Sequence, residues 1–105
     1  MMGRGEVTPP FDSVYSTKIK SAIARSPRTL GGEMGRRAVV LDFSVIRIAQ
    51  AIGATRQSVY NWMLGVRAVS PAYVPRVKTL LRILTETTNA DDAWSQACQE
   101  FKLRT

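Results

Sequence analysis

The sequence predicts an all-α protein, a compact bundle of about five to six short helices, from two observations. Apolar residues recur three and four positions apart in successive short segments, which places each set on one helical face. Between those segments stand residues that start or stop helices, notably Gly53, Thr55, the Ser70–Pro71 pair and Asn89. A chain of 105 residues with 45% apolar content is ordinary for one globular domain and can bury a core without disulfide staples.

Residues 1–11 read as a flexible Gly- and Pro-bearing tail, and residues 12–105 as a single domain. An additional N-terminal helix is expected over 12–24, with Val14, Tyr15, Ile19, Ala22 and Ile23 as its apolar stripe and Lys18 and Lys20 off it. Ser26 and Pro27 interrupt, because the residue before a proline is pushed out of the α region. The next helix is expected from Thr29 to Leu41, burying Leu30, Met34, Ala38 and Leu41. Gly31, Gly32 and Gly35 oppose it at about 1 kcal/mol each relative to alanine, so packing must compensate or its first turn must be irregular. Two helices follow, Val45–Ile52 and Arg56–Leu64. Ser70 and Pro71 then open a helix to about Glu86, with Tyr73, Val77, Leu80, Leu81 and Leu84 inward; Pro75 leaves Tyr73 or Val74 as alternative starts. Asn89 caps a last helix over 89–102, with Asp91 and Asp92 at its positive N-terminal end.

The segment 45–64 carries the most information. Val45, Ile48, Ala49 and Ile52 share one face of the first helix, Gly53 supplies a left-handed turn, and Thr55 caps the second helix. Ala49 is small where two steeply crossing helices would meet. This is the pattern of a helix-turn-helix. At about 100° per residue, Gln57, Tyr60, Asn61 and Leu64 cluster near Arg56, while Val59 and Trp62 fall on the opposite side. The apolar side docks inward, leaving Arg56, Gln57, Tyr60 and Asn61 outward as candidate base-contacting residues. Arg matches guanine O6 and N7, and Gln or Asn matches adenine N6 and N7, in a major groove that admits a helix. Thr55 and Ser58, near the helix start, and Arg47, Arg67 and Arg76 are candidate phosphate contacts; for the three arginines an ordinary solvated charge is the competing reading.

The motif VIRIAQAIGATRQSVYNWML resembles the Cro and lambda-repressor family of helix-turn-helix proteins. The resemblance spans about Thr29 to Glu86, with Gly65, Arg67 and SPAYVPRVKTLLRIL following the motif as a basic loop and a closing helix follow it in that family. Short phage and prophage regulators carry a similar RTLG segment and an AWSQACQEF-like end. Two features depart from the family pattern: Trp62 is larger than the usual aliphatic residue at the docking position, and about 25 residues precede the family core. The resemblance implies a lambda-repressor-like fold and a transcriptional repressor of the phage or prophage type. It further implies a palindromic double-stranded operator, a homodimer, and a cytoplasmic location, that of a bacterial host if the chain is phage-encoded.

Charge agrees with that expectation. Net charge is +7, so a polyanion is the default partner. The charge is localised: ten basic residues from Arg25 to Arg82 face Glu33 and Asp42, a net of +8, whereas Asn89–Thr105 carries a net of −1. The absence of histidine removes the commonest general base and metal ligand. One cysteine and scattered carboxylates show no zinc or calcium spacing, and the glycines match no phosphate-cradling motif. No enzymatic activity, cofactor or metal is expected. The lone Cys98 fits a reducing compartment, and neither an export signal nor a membrane span is expected.

The terminal helices leave two readings open. Trp94, Ala97, Cys98 and Phe101 either complete the core or form a two-fold dimer interface, and the helix over 12–24 carries the same ambiguity. The alternative function is a protein-interaction module, antitoxin-like or a host-takeover factor, whose terminal helices engage a protein partner while DNA binding is secondary.

Overall fold

Five helices begin at a Ser, Thr or Asn whose side chain accepts a hydrogen bond from the backbone N–H three residues on. Ser16 holds Ile19, Thr29 holds Gly32, Ser44 holds Arg47, Thr55 holds Ser58 and Asn89 holds Asp92. Each such cap contributes about 1 kcal/mol and sets where its helix starts. The computed structural model describes residues 13–103, which form α1 (Thr17–Ala24), α2 (Leu30–Leu41), α3 (Val45–Ile52), α4 (Arg56–Met63), a 3-10 turn (Pro71–Tyr73), α5 (Val74–Glu86) and α6 (Ala90–Glu100). The fold is all-α, and no strand occurs among the described residues.

The central pair is α2 against α5. On them pack α4 and α1 from the α2 side, and α3 and α6 from the α5 side, while α3 also meets α4 and α6. Met34, Phe43, Ile48, Ile52, Val59, Met63, Val77, Leu80, Ile83 and Leu84 are fully enclosed. Burying one such side chain contributes about 1.5–3 kcal/mol, so packing outweighs the caps; the caps choose boundaries and the core chooses the fold. No described helix is long and apolar enough to cross a membrane.

Several boundaries differ from the sequence reading. The first helix starts at Thr17 instead of residue 12, because Ser16 takes the cap position and the chain before it is tied down otherwise. The Asp42 carboxylate accepts from the Ser13 hydroxyl and the Val14 N–H at 2.9 Å each, and the Tyr15 hydroxyl donates to the Phe43 carbonyl. Asp42 itself ends α2 in the left-handed conformation, φ 60°. Residues 13–15 are therefore a strap across the α2–α3 junction, with Tyr15 buried and Val14 exposed; Val14 leaves the expected apolar stripe. The expected flexible tail, residues 1–11, lies outside the described residues.

In α4 the last helical residue is Met63, with Leu64 as C-cap. Ser70 makes no side-chain cap; Pro71 begins a 3-10 turn and α5 starts at Val74. Within α5 it is Ile83 that is buried, while Leu81 is half-buried. Val77, Leu80, Ile83 and Leu84 follow the three-and-four spacing, and Leu81 sits about 100° round from Leu80, at the edge of the stripe. The last helix ends at Glu100 instead of 102, since Lys102 takes a left-handed φ of 56°.

Tyr15 gives the strap a measurable signature. Burial first, then the neighbouring Tyr60 and Asp42, push its phenol above the ordinary value of 10.0. A folded-state value raised above the unfolded one means the neutral phenol stabilises the fold fully below pH 10.0, and that contribution is lost as pH rises further. Tyr15→Phe is expected to lose about 1 kcal/mol at neutral pH, from the Phe43 carbonyl left without its donor. The variant should also show a smaller drop in urea midpoint than the parent between about pH 7 and about pH 11. Equal drops in the two proteins would place Tyr15 outside the core.

Candidate nucleic-acid interface

The turn between α3 and α4 is built by local chemistry. Gly53 adopts φ 81° and its N–H bonds the Ala49 carbonyl at 2.8 Å, a backbone state that side-chain-bearing residues rarely take. Two residues later the Thr55 hydroxyl accepts from the Ser58 N–H at 3.1 Å, so α4 starts at Arg56. Val59, Trp62 and Met63 are buried. Trp62 lies against the Tyr73 ring with centroids 5.3 Å apart, which accommodates the large indole between α4 and the 3-10 turn.

The opposite face of α4 is open. Arg56 and Gln57 are exposed, Tyr60 and Asn61 half-buried, and Gln57 Nε2 donates to Asn61 Oδ1 at 3.2 Å. Two grooves flank this face. One is lined by Thr55, Arg56, Gln57 and Tyr60 of α4 together with Ser44, Val45 and Ile46 at the start of α3 and Val14 of the strap. The other is lined by Ser58, Asn61, Trp62, Arg67, Ala68 and Ser70. The Val66 and Arg67 N–H groups both bond the Asn61 carbonyl, at 2.9 and 3.2 Å. That folds the loop back on α4 and sets Arg67 in the same groove as Ser58. Among the described residues neither groove has a carboxylate in its lining, and Arg56 and Arg67 enter no ion pair.

Seven of the nine residues singled out from sequence thus share one surface: Thr55, Arg56, Gln57, Ser58, Tyr60, Asn61 and Arg67. Two arginines expected to contact phosphate are engaged elsewhere. Arg47 points to α6, 3.5 Å from the Asp91 carboxylate and 5.2 Å over the Trp94 ring. Arg76 Nη1 donates to the Ile52 carbonyl at 2.9 Å, where a cation meets the partial negative charge of the α3 C-terminus. Arg36 is likewise consumed, donating to the Ser26 and Pro27 carbonyls and to Glu33 across the α1–α2 link. The local net charge therefore overstates the free basic surface, since a guanidinium's partners are not visible in a charge count.

Sequence reasoning missed Val14 and Ile46, which are 54% and 51% exposed at the groove rim. Nothing in the periodicity marks Val14 as a surface residue. Of the residues proposed for a dimer interface, Ala97 is fully enclosed and Cys98 nearly so; both belong to the chain's own core. Trp94 and Phe101 are half-buried, Trp94 beside Phe43 with ring centroids 6.2 Å apart. Among the described residues no cluster of His, Cys, Asp or Glu has the makings of a metal site. The chain matches no protein-family model, no curated protein and no solved structure, so the reading that follows stands on residues and geometry.

Proposed function

We propose that this protein binds double-stranded DNA in a sequence-specific manner and acts as a small transcriptional regulator, a repressor of the phage or prophage type, with α4 as the recognition helix. One observation carries the reading: the solvent face of α4 gathers Arg56, Gln57, Tyr60 and Asn61 between two grooves whose described lining residues include no carboxylate. Arg and amide side chains are the major-groove readers of guanine and adenine, and the lack of carboxylates among the described lining residues lets the phosphates approach. Thr55, Ser58 and Arg67 flank the readers as phosphate contacts. The residue pattern of 45–64, with Gly53 at the turn and Thr55 as cap, which we read as Cro- and lambda-repressor-like, supports the same reading. A homodimer on a palindromic operator belongs to this proposal, because one short helix makes few base contacts and two half-sites double them.

Duplexes enriched from a random pool provide the operator for the test. On that operator Arg56→Ala or Gln57→Ala is expected to lose about 1–3 kcal/mol per half-site while affinity for random DNA changes less. Arg67→Ala should weaken both kinds of DNA by similar factors and flatten the slope of log affinity against log salt by about one per subunit. An operator-to-random ratio unchanged in both Arg56→Ala and Gln57→Ala would sink the assignment and move the reading to a protein-interaction module.

A further inference from the structure

We propose that Gln57 and Asn61 read one adenine as a unit, so that each recognition site carries an A·T pair opposite them; this rests on the DNA-binding reading above. The two amides are joined across one helical turn, Gln57 Nε2 to Asn61 Oδ1 at 3.2 Å, in a solvent-exposed bond. An amide offers one accepting oxygen and one donating NH2. The bond engages the oxygen of Asn61 and the nitrogen of Gln57, leaving Gln57 Oε1 as acceptor and Asn61 Nδ2 as donor. With both amides turned over, the two residues exchange roles and the balance is the same: one acceptor and one donor face outward.

Adenine's major-groove edge is the complement of that pair, an N6 donor beside an N7 acceptor. Guanine shows two acceptors there, cytosine a donor, and thymine an acceptor with a methyl group, so each leaves one amide group without its partner, which is costly once water is excluded. Joining the amides before binding also removes rotamer freedom that a lone glutamine would lose on contact. A second feature points the same way. The groove that Gln57 lines has Val14 and Ile46 at its rim, both about half exposed, and the thymine paired with that adenine carries an apolar C5 methyl of the kind apolar side chains read.

The test uses the full chain and the operator enriched from a random pool, with each adenine replaced in turn by 7-deazaadenine, which lacks the N7 acceptor, or by purine, which lacks the N6 amine. At one adenine per recognition site both analogues should lower affinity by roughly tenfold. Gln57→Ala and Asn61→Ala should each abolish the response to both analogues at that position, with circular dichroism reporting the fold. The proposal is overturned if no adenine responds to both analogues, or if Asn61→Ala keeps the full response, which would make Gln57 the sole reader. It is also overturned if the two variants lower thermal stability and leave analogue sensitivity intact, since the amide bond would then serve the helix alone. Failure to enrich any sequence defeats the DNA-binding reading itself, an outcome distinct from these.

Discussion

Val59→Asp is expected to abolish cooperative folding, with a loss above about 4 kcal/mol against a total stability on the order of 5–15 kcal/mol. Val59 is fully enclosed in the core that also holds Ile48 and Ile52, at the junction where α4 packs on α3. A carboxylate there must either remain charged without solvent or bind a proton at neutral pH, and either course is expensive without a buried partner. Gln57→Ala, two residues away on the exposed face, should stay within about 0.5 kcal/mol of the parent. Thermal unfolding followed by circular dichroism separates the two. A Val59→Asp protein that melts like the parent would mean that α4 docks by its other face, and the outward set Arg56, Gln57, Tyr60 and Asn61 would lose its footing.

The second large effect concerns α2, where two opposing contributions can be weighed. Gly31→Ala should gain about 1 kcal/mol of helix propensity. A Cβ at Gly31, however, would lie 2.5 Å from the Trp62 carbonyl oxygen and 2.7 Å from its carbon, backbone atoms that cannot rotate away. α2 and α4 would have to separate, and overpacking of this kind costs about 1–3 kcal/mol or more. The steric cost wins, so a net loss of about 2 kcal/mol is expected, with α4 displaced. At Gly35 an added Cβ meets only side-chain atoms of Met63 and Ile23, at 3.0–3.2 Å, so Gly35→Ala should be the milder change. Urea unfolding of the two variants ranks them. A Gly31→Ala protein more stable than the parent would show that the two helices do not approach this closely.

The glycines mark a boundary of what sequence patterning reveals. Read along the chain, Gly31, Gly32 and Gly35 weaken the helix they interrupt. In the fold, Gly31 and Gly35 let α2 lie directly on α4, and the propensity loss is offset by the burial of Met34, Ala38, Trp62 and Met63. The helix stands because two of its weakest residues, Gly31 and Gly35, face α4 at close range.

Much of the candidate site was legible. Gly53, Thr55 and the spacing of Val45, Ile48, Ala49, Ile52 and Val59 act within one or two helical turns, so local pattern places α3, its turn and α4 to within a residue. The outward position of Arg56 and Gln57 follows from the same periodicity. Val14 was not legible, because it borders the groove only through the bonds of residues 13–15 to Asp42 and Phe43, some 28 residues on. Leu81 was misplaced for a smaller reason: an apolar residue at the margin of a stripe looks like its neighbours until the packing partner is known.

The sequence by itself determined an all-α chain, the start of the helices at its clearest caps, the Gly53 turn and the composition of the exposed face of α4. All of these follow from backbone geometry and hydrogen bonds that close within a few residues. Tertiary structure alone decided which cations are engaged among the described residues. Arg47 meets Asp91 across 44 positions and Arg76 meets Ile52 across 24, while Arg67 lines the same open groove as Ser58. It likewise enclosed Ala97 and Cys98 and brought Val14 to the groove that Gln57 lines. An arginine's partner is chosen by whichever carbonyl, carboxylate or ring the folded chain brings within reach, and that distance is a property of how the helices pack, written in no local run of residues.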